Sequence, residues 1–322
     1  WHGSYSLRTG PGGIVYGAET FHKNTNRSSI QKGNILREQH KLLIKDSKGN
    51  YIRNKKFWEK VSKCPVCNHS NNEFFLSRLC IDIYECFNCK HRFMNPRPKF
   101  KKAIELYNDD LSASKIWLSN LQKNMDSKKF EYANILLEVF IKNKNKKIID
   151  IGCGSGLFLE HMSKNGWKQC VGVDVNKNYH NTYSKINGVQ FINSTFEDIS
   201  PQKVGNNYDC VSLWGVFEHL YDLNTVLKKI KKISKKNGTL FIMVPNGFSL
   251  VTNIIRDKSP TFMWKHLNHF SNNSLQYFVE KNNDFKLLHS ETMVTEIENI
   301  KSYLNGKFPY GGYADPKNIY NF

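Results

Sequence analysis

Two closely spaced pairs of cysteines are the residues whose chemistry is easiest to infer. Cys64-Pro-Val-Cys67 and Cys86-Phe-Asn-Cys89 each place two thiols three positions apart, and eighteen residues separate the pairs. Four thiolates at this spacing suit Zn²⁺, which binds four such ligands in a tetrahedron. Four protein ligands leave no open position, so we expect a structural ion that stabilises a segment too short for its own core. A redox dithiol is the alternative, and the presence of two pairs argues against it.

A glycine-rich loop is the second feature with a chemical meaning. Asp150 precedes Gly152, Gly154 and Gly156, and the loop joins a predicted strand to a predicted helix. Glycines let the backbone turn sharply and let a ligand approach the main chain, while the helix N-terminus offers free N–H groups. Dinucleotide-binding loops follow G-x-G-x-x-G, but here Leu157 stands at the third glycine position. The pattern is instead G-x-G-x-G, with an acid two residues before the first glycine.

An acidic residue ends the next predicted strand. Val171-Gly172-Val173-Asp174 places a carboxylate eighteen residues after Gly156. A carboxylate at this point can accept hydrogen bonds from both hydroxyls of a ribose. The alternative is that Asp174 only caps the following helix. The loop and the acid occur together, and this favours ribose binding.

The loop and the acid together resemble motif I and the following strand of the class I S-adenosylmethionine (SAM) dependent methyltransferases. Residues 208–220, YDCVSLWGVFEHL, are similar to the fDxVxxxxvlEHl segment of many small-molecule methyltransferases. Residues 236–246, KNGTLFIMVPN, are similar to the kpGGxlxixvPN segment, with Thr239 at its second glycine. The resemblance covers residues 147–250 in order. It implies a Rossmann-like α/β fold, SAM as cofactor and methyl transfer as activity.

The resemblance also implies contacts with the adenine of SAM. Phe196 would pack on the ring or bond it through its backbone N–H, and Glu197 would accept a hydrogen bond from the amino group. The family often has Asp where this chain has Thr195, and an ordinary polar turn is the alternative. The complete expected cofactor set is Asp150, Gly152, Gly154, Gly156, Asp174, Phe196, Glu197 and Trp214.

Three histidines are candidate catalytic residues on the acceptor side. His219 follows the fourth strand at the carboxyl edge of the sheet, where ligands bind, and an imidazole suits a general base. The alternative is a structural histidine that fixes the turn. His266 and His269 lie in a segment that resembles "H..hFs..sL" near the end of the same family. They would line the acceptor pocket, unless the segment only caps the helix beginning near Ser271.

The cysteine pairs give a finer resemblance. CPVC…CxxCxxxFMNPRP followed by a SAM domain resembles a subgroup of bacterial methyltransferases with an N-terminal zinc-binding domain, many of them associated with sugar, capsule or O-antigen biosynthesis. The resemblance and the positive charge together favour a small anionic acceptor, such as a nucleotide-linked or phosphorylated sugar, with O-methylation favoured over C- or N-methylation. An RNA methyltransferase and a non-catalytic binding module on a SAM fold are the alternatives, because a fold does not set a substrate.

The hydropathy pattern indicates the elements that position these residues. From Lys147 onward, short apolar runs alternate with helical patterns, which predicts a parallel sheet covered by helices on both faces. We divide the chain into five segments: an N-terminal extension (1–63), a zinc ribbon (64–95), a helical linker (96–141), the SAM-binding domain (142–250) and a substrate-side segment (251–322). Residues 1–17 are rich in glycine and lack the apolar stretch of a signal peptide.

Composition narrows the partners and the compartment. The formal net charge of +19 suits an anionic partner, but the lysines are spread along the chain, so charge alone favours nucleic acid only weakly. No apolar run is long enough for a membrane span. The remaining four cysteines are scattered and are interpreted as small buried apolar residues. Thiols kept for a metal predict a reducing compartment, the cytoplasm.

Overall fold

A computed structural model describes residues 2–8, 39–109, 130–131, 133–141, 147–183, 185–259, 261–281, 285–292 and 297–306. The strands in these residues are β1 His2–Arg8, β2 Leu43–Lys45, β3 Tyr51–Arg53, β4 Trp58–Glu59, β5 Asn72–Arg78, β6 Ile81–Cys86, β7 Arg92–Met94, β8 Arg97–Pro98, β9 Lys147–Ile151, β10 Gln169–Asp174, β11 Val189–Asn193, β12 Tyr208–Trp214, β13 Ser234–Pro245, β14 Asn268–His269 and β15 Lys286–Thr292. The helices are α1 Phe100–Asp109, α2 Leu157–Lys164, α3 His180–Tyr183, α4 Pro201–Val204, α5 Leu223–Ile233, α6 Leu250–Ile255, α7 Asn272–Glu280 and α8 Ile297–Leu304, and residues 133–140 are also helical.

A seven-stranded sheet forms the centre of the fold, in the order β11-β10-β9-β12-β13-β1-β15. The first five strands in this order are parallel, and β1 is antiparallel to both of its neighbours. From β9 the chain adds strands first on one side and then, beginning with β12, on the other. Ligands of open α/β sheets bind at such a switch point, outside the carboxyl ends of the strands. The Rossmann-like α/β fold predicted from the sequence is confirmed.

The apolar pattern explains why these elements form and pack. Strand β12 has four consecutive buried residues, 210–213, as expected for a strand covered on both faces. Helix α5 buries Leu223, Val226, Leu227, Ile230 and Ile233, the spacing of one helical face. The side chain of Asp222 accepts a hydrogen bond from the Thr225 N–H at 3.0 Å and so starts this helix. None of the helices in the described residues combines the length and the apolar character needed to cross a membrane.

The cysteine-bearing segment forms a second, four-stranded antiparallel sheet in the order β14-β7-β6-β5. Strand β14 comes from residues 268–269, far along the chain from the other three strands. The backbone N–H of Met94 also donates to the Leu267 carbonyl at 2.9 Å. Cys64 and Cys86 belong to the same buried apolar cluster as residues of α7 and α5. The ribbon is therefore packed into the main domain.

The main sheet extends beyond the segment limits expected from the sequence. Strand β1, inside the expected N-terminal extension, lies between β13 and β15, with His2 opposite Pro245 and Arg8 opposite Thr239. Strand β15, inside the expected substrate-side segment, is an edge strand of the same sheet. Pairings between such distant segments leave no local signal in the sequence. Of the expected helical linker, residues 110–129 and 142–146 lie outside the described residues.

Candidate cofactor site, acceptor-side cluster and cysteine site

The loop between β9 and α2 requires glycine at two positions. Gly152 has φ +70° and Gly156 has φ +80°, in the left-handed region. A Cβ on Gly152 would lie 2.3 Å from Cγ2 of Val216, and one on Gly156 would lie 2.7 Å from Cζ of Phe191. A Cβ on Gly154 would meet nothing within 4 Å. The loop is thus packed at both ends and open in the middle, where a ligand can approach the main chain.

Asp150 is a buried residue of the switch point. Its carboxylate is 2% exposed, and Oδ1 accepts a hydrogen bond from the Ser212 hydroxyl on β12 at 2.7 Å. Burial raises the pKa of Asp150 to about 8. The predicted cofactor residue therefore links β9 to β12 immediately before the glycine loop.

Asp174 holds the loop from the neighbouring strand. Its Oδ2 accepts from the Gly154 N–H at 2.8 Å, and its Oδ1 accepts from the Asn176 N–H at 2.7 Å. The second contact lies within the turn that follows β10. An ionised carboxylate has about four acceptor positions, so both contacts leave capacity for ribose hydroxyls.

Tyr183 supports the loop from α3, and sequence reasoning did not single it out. Its hydroxyl donates to the Gly154 carbonyl at 2.6 Å. Its ring stacks on Phe191, with centroids 3.8 Å apart and planes 4° from parallel. Phe191 is the ring against which Gly156 packs. Tyr183 has no signal in the loop motif, because its contact spans 29 residues of sequence.

The side chains predicted to contact adenine have structural contacts of their own. Phe196 is 4% exposed and lies in the main core. Glu197 accepts, through Oε1, from the backbone N–H groups of Tyr221 at 2.6 Å and Asp222 at 3.2 Å. Phe196 thus packs in the core, and Glu197 stabilises the turn before α5. Adenine recognition by these two residues stays a prediction.

Trp214 ends β12 beside the helix that follows the loop. Its ring centroid lies 5.2 Å from that of Phe158 on α2. Its indole N–H is buried and has no hydrogen-bond partner among the described residues. A buried donor without a partner costs free energy, so this group is a candidate contact for a ligand.

His219 and His266, two of the three histidines predicted to be catalytic, lie together. Their ring centroids are 5.0 Å apart. One ligand atom from each of these rings and one carboxylate oxygen of Glu218 lie within 4.8 Å of one another. Val216, in the same turn as His219, contacts Gly152 of the loop. The cluster therefore adjoins the cofactor loop. Glu218 is part of the motif that resembles the family, but no role was predicted for it.

Burial determines the charge states in this cluster. Glu218 is 2% exposed, its Oε2 has no hydrogen-bond partner among the described residues, and burial raises its pKa to about 8. Burial lowers the pKa of His219 to about 4. His219 is thus a neutral imidazole near pH 7, and a weaker base than the ordinary pKa near 6.5 implies.

His269, the third predicted catalytic histidine, has its ring centroid 6.4 Å from that of His266 but is not a member of the group formed with Glu218 and His219. It is 1% exposed in β14, where it pairs with the ribbon, and its nearest aromatic ring is that of Phe262 at 5.0 Å. Burial lowers its pKa to about 3. The helix-capping alternative is present next to it, since Ser271 forms a capping box with Ser274 at the start of α7. The position of His269 favours a structural role over a catalytic one.

The four paired cysteines converge as their spacing predicted. Cys64 Sγ lies 3.6 Å from Cys89 Sγ, Cys67 Sγ lies 3.4 Å from Cys86 Sγ, and all four sulfurs lie within 4.8 Å of one another. Sulfurs bound to one Zn²⁺ at about 2.3 Å would lie about 3.8 Å apart. A hydrogen bond from the Cys64 thiol lowers the pKa of Cys89 to about 5. These residues can hold a tetrahedral metal ion.

The two cysteine loops repeat one backbone pattern. Cys64 N–H donates to the His69 carbonyl at 2.8 Å, and Cys86 N–H donates to the His91 carbonyl at 2.9 Å. Each loop turns through a left-handed residue, Asn68 in the first and Lys90 in the second. Among the described residues, neither His69 nor His91 belongs to the sulfur cluster.

Comparison with known proteins identifies the family. A family model described as "Methyltransferase domain" matches residues 121–290, more than half of the chain. The ubiquinone biosynthesis O-methyltransferase of Pelagibacter ubique is 31% identical over 109 residues, which cover 32% of this chain and 43% of that protein. The EEF1A lysine methyltransferase 2 of Danio rerio is 26% identical over 157 residues, which cover 48% of this chain and 64% of that protein. The chain thus spans less than two thirds of the length of each relative.

One solved structure shows a weak similarity to part of the chain. A SAM-dependent methyltransferase from Thermotoga maritima is 19% identical, with a TM-score of 0.40, and the match covers 54% of this chain and 77% of that one. The residues matched by the family model include the glycine loop, Asp174 and the parallel strands around them. The chain therefore belongs to the methyltransferase-domain family and contains a Rossmann-like SAM-dependent methyltransferase domain.

Proposed function

We propose that the protein transfers the methyl group of SAM to an oxygen of a small anionic acceptor, such as a nucleotide-linked or phosphorylated sugar. The observation that carries this proposal is the loop at the switch point, which is packed at Gly152 and Gly156 and open at Gly154. Asp174 lies against the same loop with acceptor capacity for a ribose. The net charge of +19 supports an anionic acceptor, and the resemblance to sugar-modifying methyltransferases supports a sugar.

The residues described above have distinct parts in this reaction. SAM supplies an electrophilic methyl group on a sulfonium sulfur. The glycine loop and Asp174 bind and orient the cofactor, and correct alignment of acceptor and methyl lowers the barrier. The acceptor hydroxyl loses its proton at the cluster of Glu218, His219 and His266. His219 Nδ1 lies 2.6 Å from the Lys265 carbonyl, so Nδ1 donates and Nε2 carries the lone pair, for a proton or a cation.

We also propose that Cys64, Cys67, Cys86 and Cys89 hold a structural Zn²⁺. The donor set, four sulfurs within 4.8 Å, supports zinc over harder cations. The ion would join two loops that pack against α7, where the Lys281 ammonium donates to the Val66 carbonyl. No step of the reaction passes through it. Thiolates kept for a metal support a reducing compartment, so the proposal includes a cytoplasmic location.

Transfer of labelled methyl groups tests the proposal. The zinc-replete protein is incubated with methyl-labelled SAM and with separate panels of nucleotide-sugars, phosphorylated sugars and RNA. We expect label in one of the sugar panels and loss of transfer in Asp174→Asn, with transfer retained in Asp257→Asn. Asp257 is an exposed carboxylate 3.5 Å from Lys258, away from the loop, and serves as the matched control.

The outcome for RNA separates the two acceptor classes. Label in RNA alone, with binding that weakens steeply as salt rises, would contradict the small-molecule acceptor and favour an RNA methyltransferase. Label in no panel, together with failure to bind SAM, would favour the non-catalytic binding module.

A further inference from the structure

We propose that Glu218, His219 and His266 bind a divalent transition-metal cation, and that this cation binds the acceptor oxygen. The inference rests on the proposed function, since it specifies how the acceptor-side cluster acts. The three side chains lie on two segments, the turn after β12 and the stretch before β14. The cluster is separate from the four-cysteine site and differs from it in donor chemistry.

The distances bring the three side chains close to ligation. Their candidate ligand atoms all lie within 4.8 Å of one another, and His219 Nε2 lies 3.8 Å from Glu218 Oε1. Ligand atoms on one ion, with bonds of about 2.1 Å, are separated by about 3 to 3.5 Å. Ligation therefore requires His219 Nε2 and Glu218 Oε1 to approach each other by about 0.3 to 0.8 Å. His219 keeps 23% of its side chain exposed, so an ion can reach the cluster from solvent.

Backbone carbonyls fix the two rings as metal ligands require. His219 Nδ1 lies 2.6 Å from the Lys265 carbonyl oxygen, and His266 Nδ1 lies 2.8 Å from the Thr261 carbonyl oxygen. A carbonyl only accepts, so each Nδ1 carries a proton, and in the neutral form of either ring the lone pair lies on Nε2. Ligating histidines in metal sites are oriented in the same way by a hydrogen bond from the other ring nitrogen.

Glu218 supplies an oxygen ligand whose ionised form a bound cation would stabilise. Its carboxylate is 2% exposed, and Oε2 has no hydrogen-bond partner among the described residues. Burial of a carboxylate without a partner is unfavourable, and a bound cation removes the penalty. The ammonium of the neighbouring Lys265 lies over the rings of Tyr107 and Trp264, 5.2 Å from each centroid.

The donor set determines the kind of cation and its action. Two imidazoles and one carboxylate favour Mn²⁺, Fe²⁺, Co²⁺, Ni²⁺ or Zn²⁺ over Mg²⁺ and Ca²⁺. Three protein ligands leave positions open for the acceptor hydroxyl, whose pKa falls when its oxygen binds the cation. The hydroxyl proton passes to water, the oxygen–methyl bond forms, and the carbon–sulfur bond breaks. The products are the methyl ether and S-adenosylhomocysteine. His219 then acts as a ligand, and no direct proton transfer to it is needed.

Titration with Mn²⁺ tests the site directly. Protein that holds one zinc ion per chain by mass spectrometry, the amount expected for the cysteine site alone, is titrated with Mn²⁺, and the free ion is followed by electron paramagnetic resonance. We expect one saturable site per chain, weakened at least tenfold in Glu218→Gln and in His266→Ala. The matched control is His289→Ala, since His289 lies 3.4 Å from Glu291 on the exposed side of β15 and outside the cluster. Zinc content and the thermal midpoint check that each variant is folded.

A parallel calorimetric titration with SAM separates the two proposals. If the folded wild type binds SAM but shows no saturable Mn²⁺ site, the cation is overturned and His219 is left as the direct base. If both cluster variants bind Mn²⁺ as tightly as the wild type, the assignment of the ligands is overturned. If Mn²⁺ binds at the cluster but SAM does not bind, the cation site stands and the proposed methyl transfer fails.

Discussion

The contact between Gly152 and Val216 gives a prediction whose size follows from the structure. Gly152→Ala puts a Cβ at φ +70° and 2.3 Å from Val216 Cγ2. The left-handed conformation costs about 1–2 kcal/mol for a residue with a Cβ, and overpacking adds about 1–3 kcal/mol. We therefore expect Gly152→Ala to lower the free energy of unfolding by about 2–5 kcal/mol. Urea denaturation, with the midpoint and slope compared with wild type, measures it.

Gly154→Ala is the matched control, because Gly154 has φ +55° and a Cβ there meets nothing within 4 Å. It should cost only the conformational part, about 1–2 kcal/mol. It should nevertheless weaken SAM binding, since the Cβ occupies the open part of the loop.

Shortening Val216 tests the clash itself. The double variant Gly152→Ala/Val216→Ala removes both atoms that lie within 3 Å of the new Cβ, so it should recover about 1–3 kcal/mol of coupling energy. Equal destabilisation by the two glycine variants, or no recovery in the double variant, would refute the packing argument.

Three further predictions concern Asp150, Tyr183 and the cysteines. The folded pKa of Asp150, about 8, is above its unfolded value near 3.9, so the folded state binds the extra proton and stability should fall as pH rises between about 4 and 8. Asp150→Asn should flatten that decline in urea midpoints measured without SAM, and an unchanged slope would contradict the assignment. Tyr183→Phe leaves the Gly154 carbonyl without its donor and should weaken SAM binding by about 1–3 kcal/mol in calorimetry, whereas Tyr208→Phe, which loses a bond to Val204 elsewhere, should not. Cys89→Ser should lower the zinc content found by mass spectrometry, because it removes one of the four sulfur ligands. It should also lower the thermal midpoint of the whole protein, because β14 joins the ribbon to the main domain. Full stability without zinc would argue against a structural ion.

Local patterns were enough to predict the parallel core. Helix α2 and strand β11 follow the alternation of helical patterns and short apolar runs that was expected from Lys147 onward. Both have an apolar periodicity that depends only on nearby residues. The cysteine cluster was also predictable, since two short motifs at a set spacing specify it.

Long-range contacts account for what the sequence left open. Nothing near His2–Arg8 indicates a strand between β13 and β15, and nothing near Asn268 indicates pairing with the ribbon. Glu218 and His266 are 48 positions apart, so only the fold brings them together. Glu197 was predicted, from its place in a motif, to accept a hydrogen bond from the adenine of SAM. Its carboxylate accepts hydrogen bonds from two backbone N–H groups before α5. A motif locates such a residue without showing which partner its side chain finds.

Calorimetric titration with SAM and with S-adenosylhomocysteine tests the central claim most directly. The zinc-replete wild type should bind both with micromolar affinity. Asp174→Ala should bind at least about tenfold more weakly, because it loses acceptors for the ribose and the anchor of the Gly154 N–H. Asp257→Ala should bind as the wild type does. A folded, zinc-replete protein that binds neither ligand would contradict the cofactor site and with it the proposed methyl transfer.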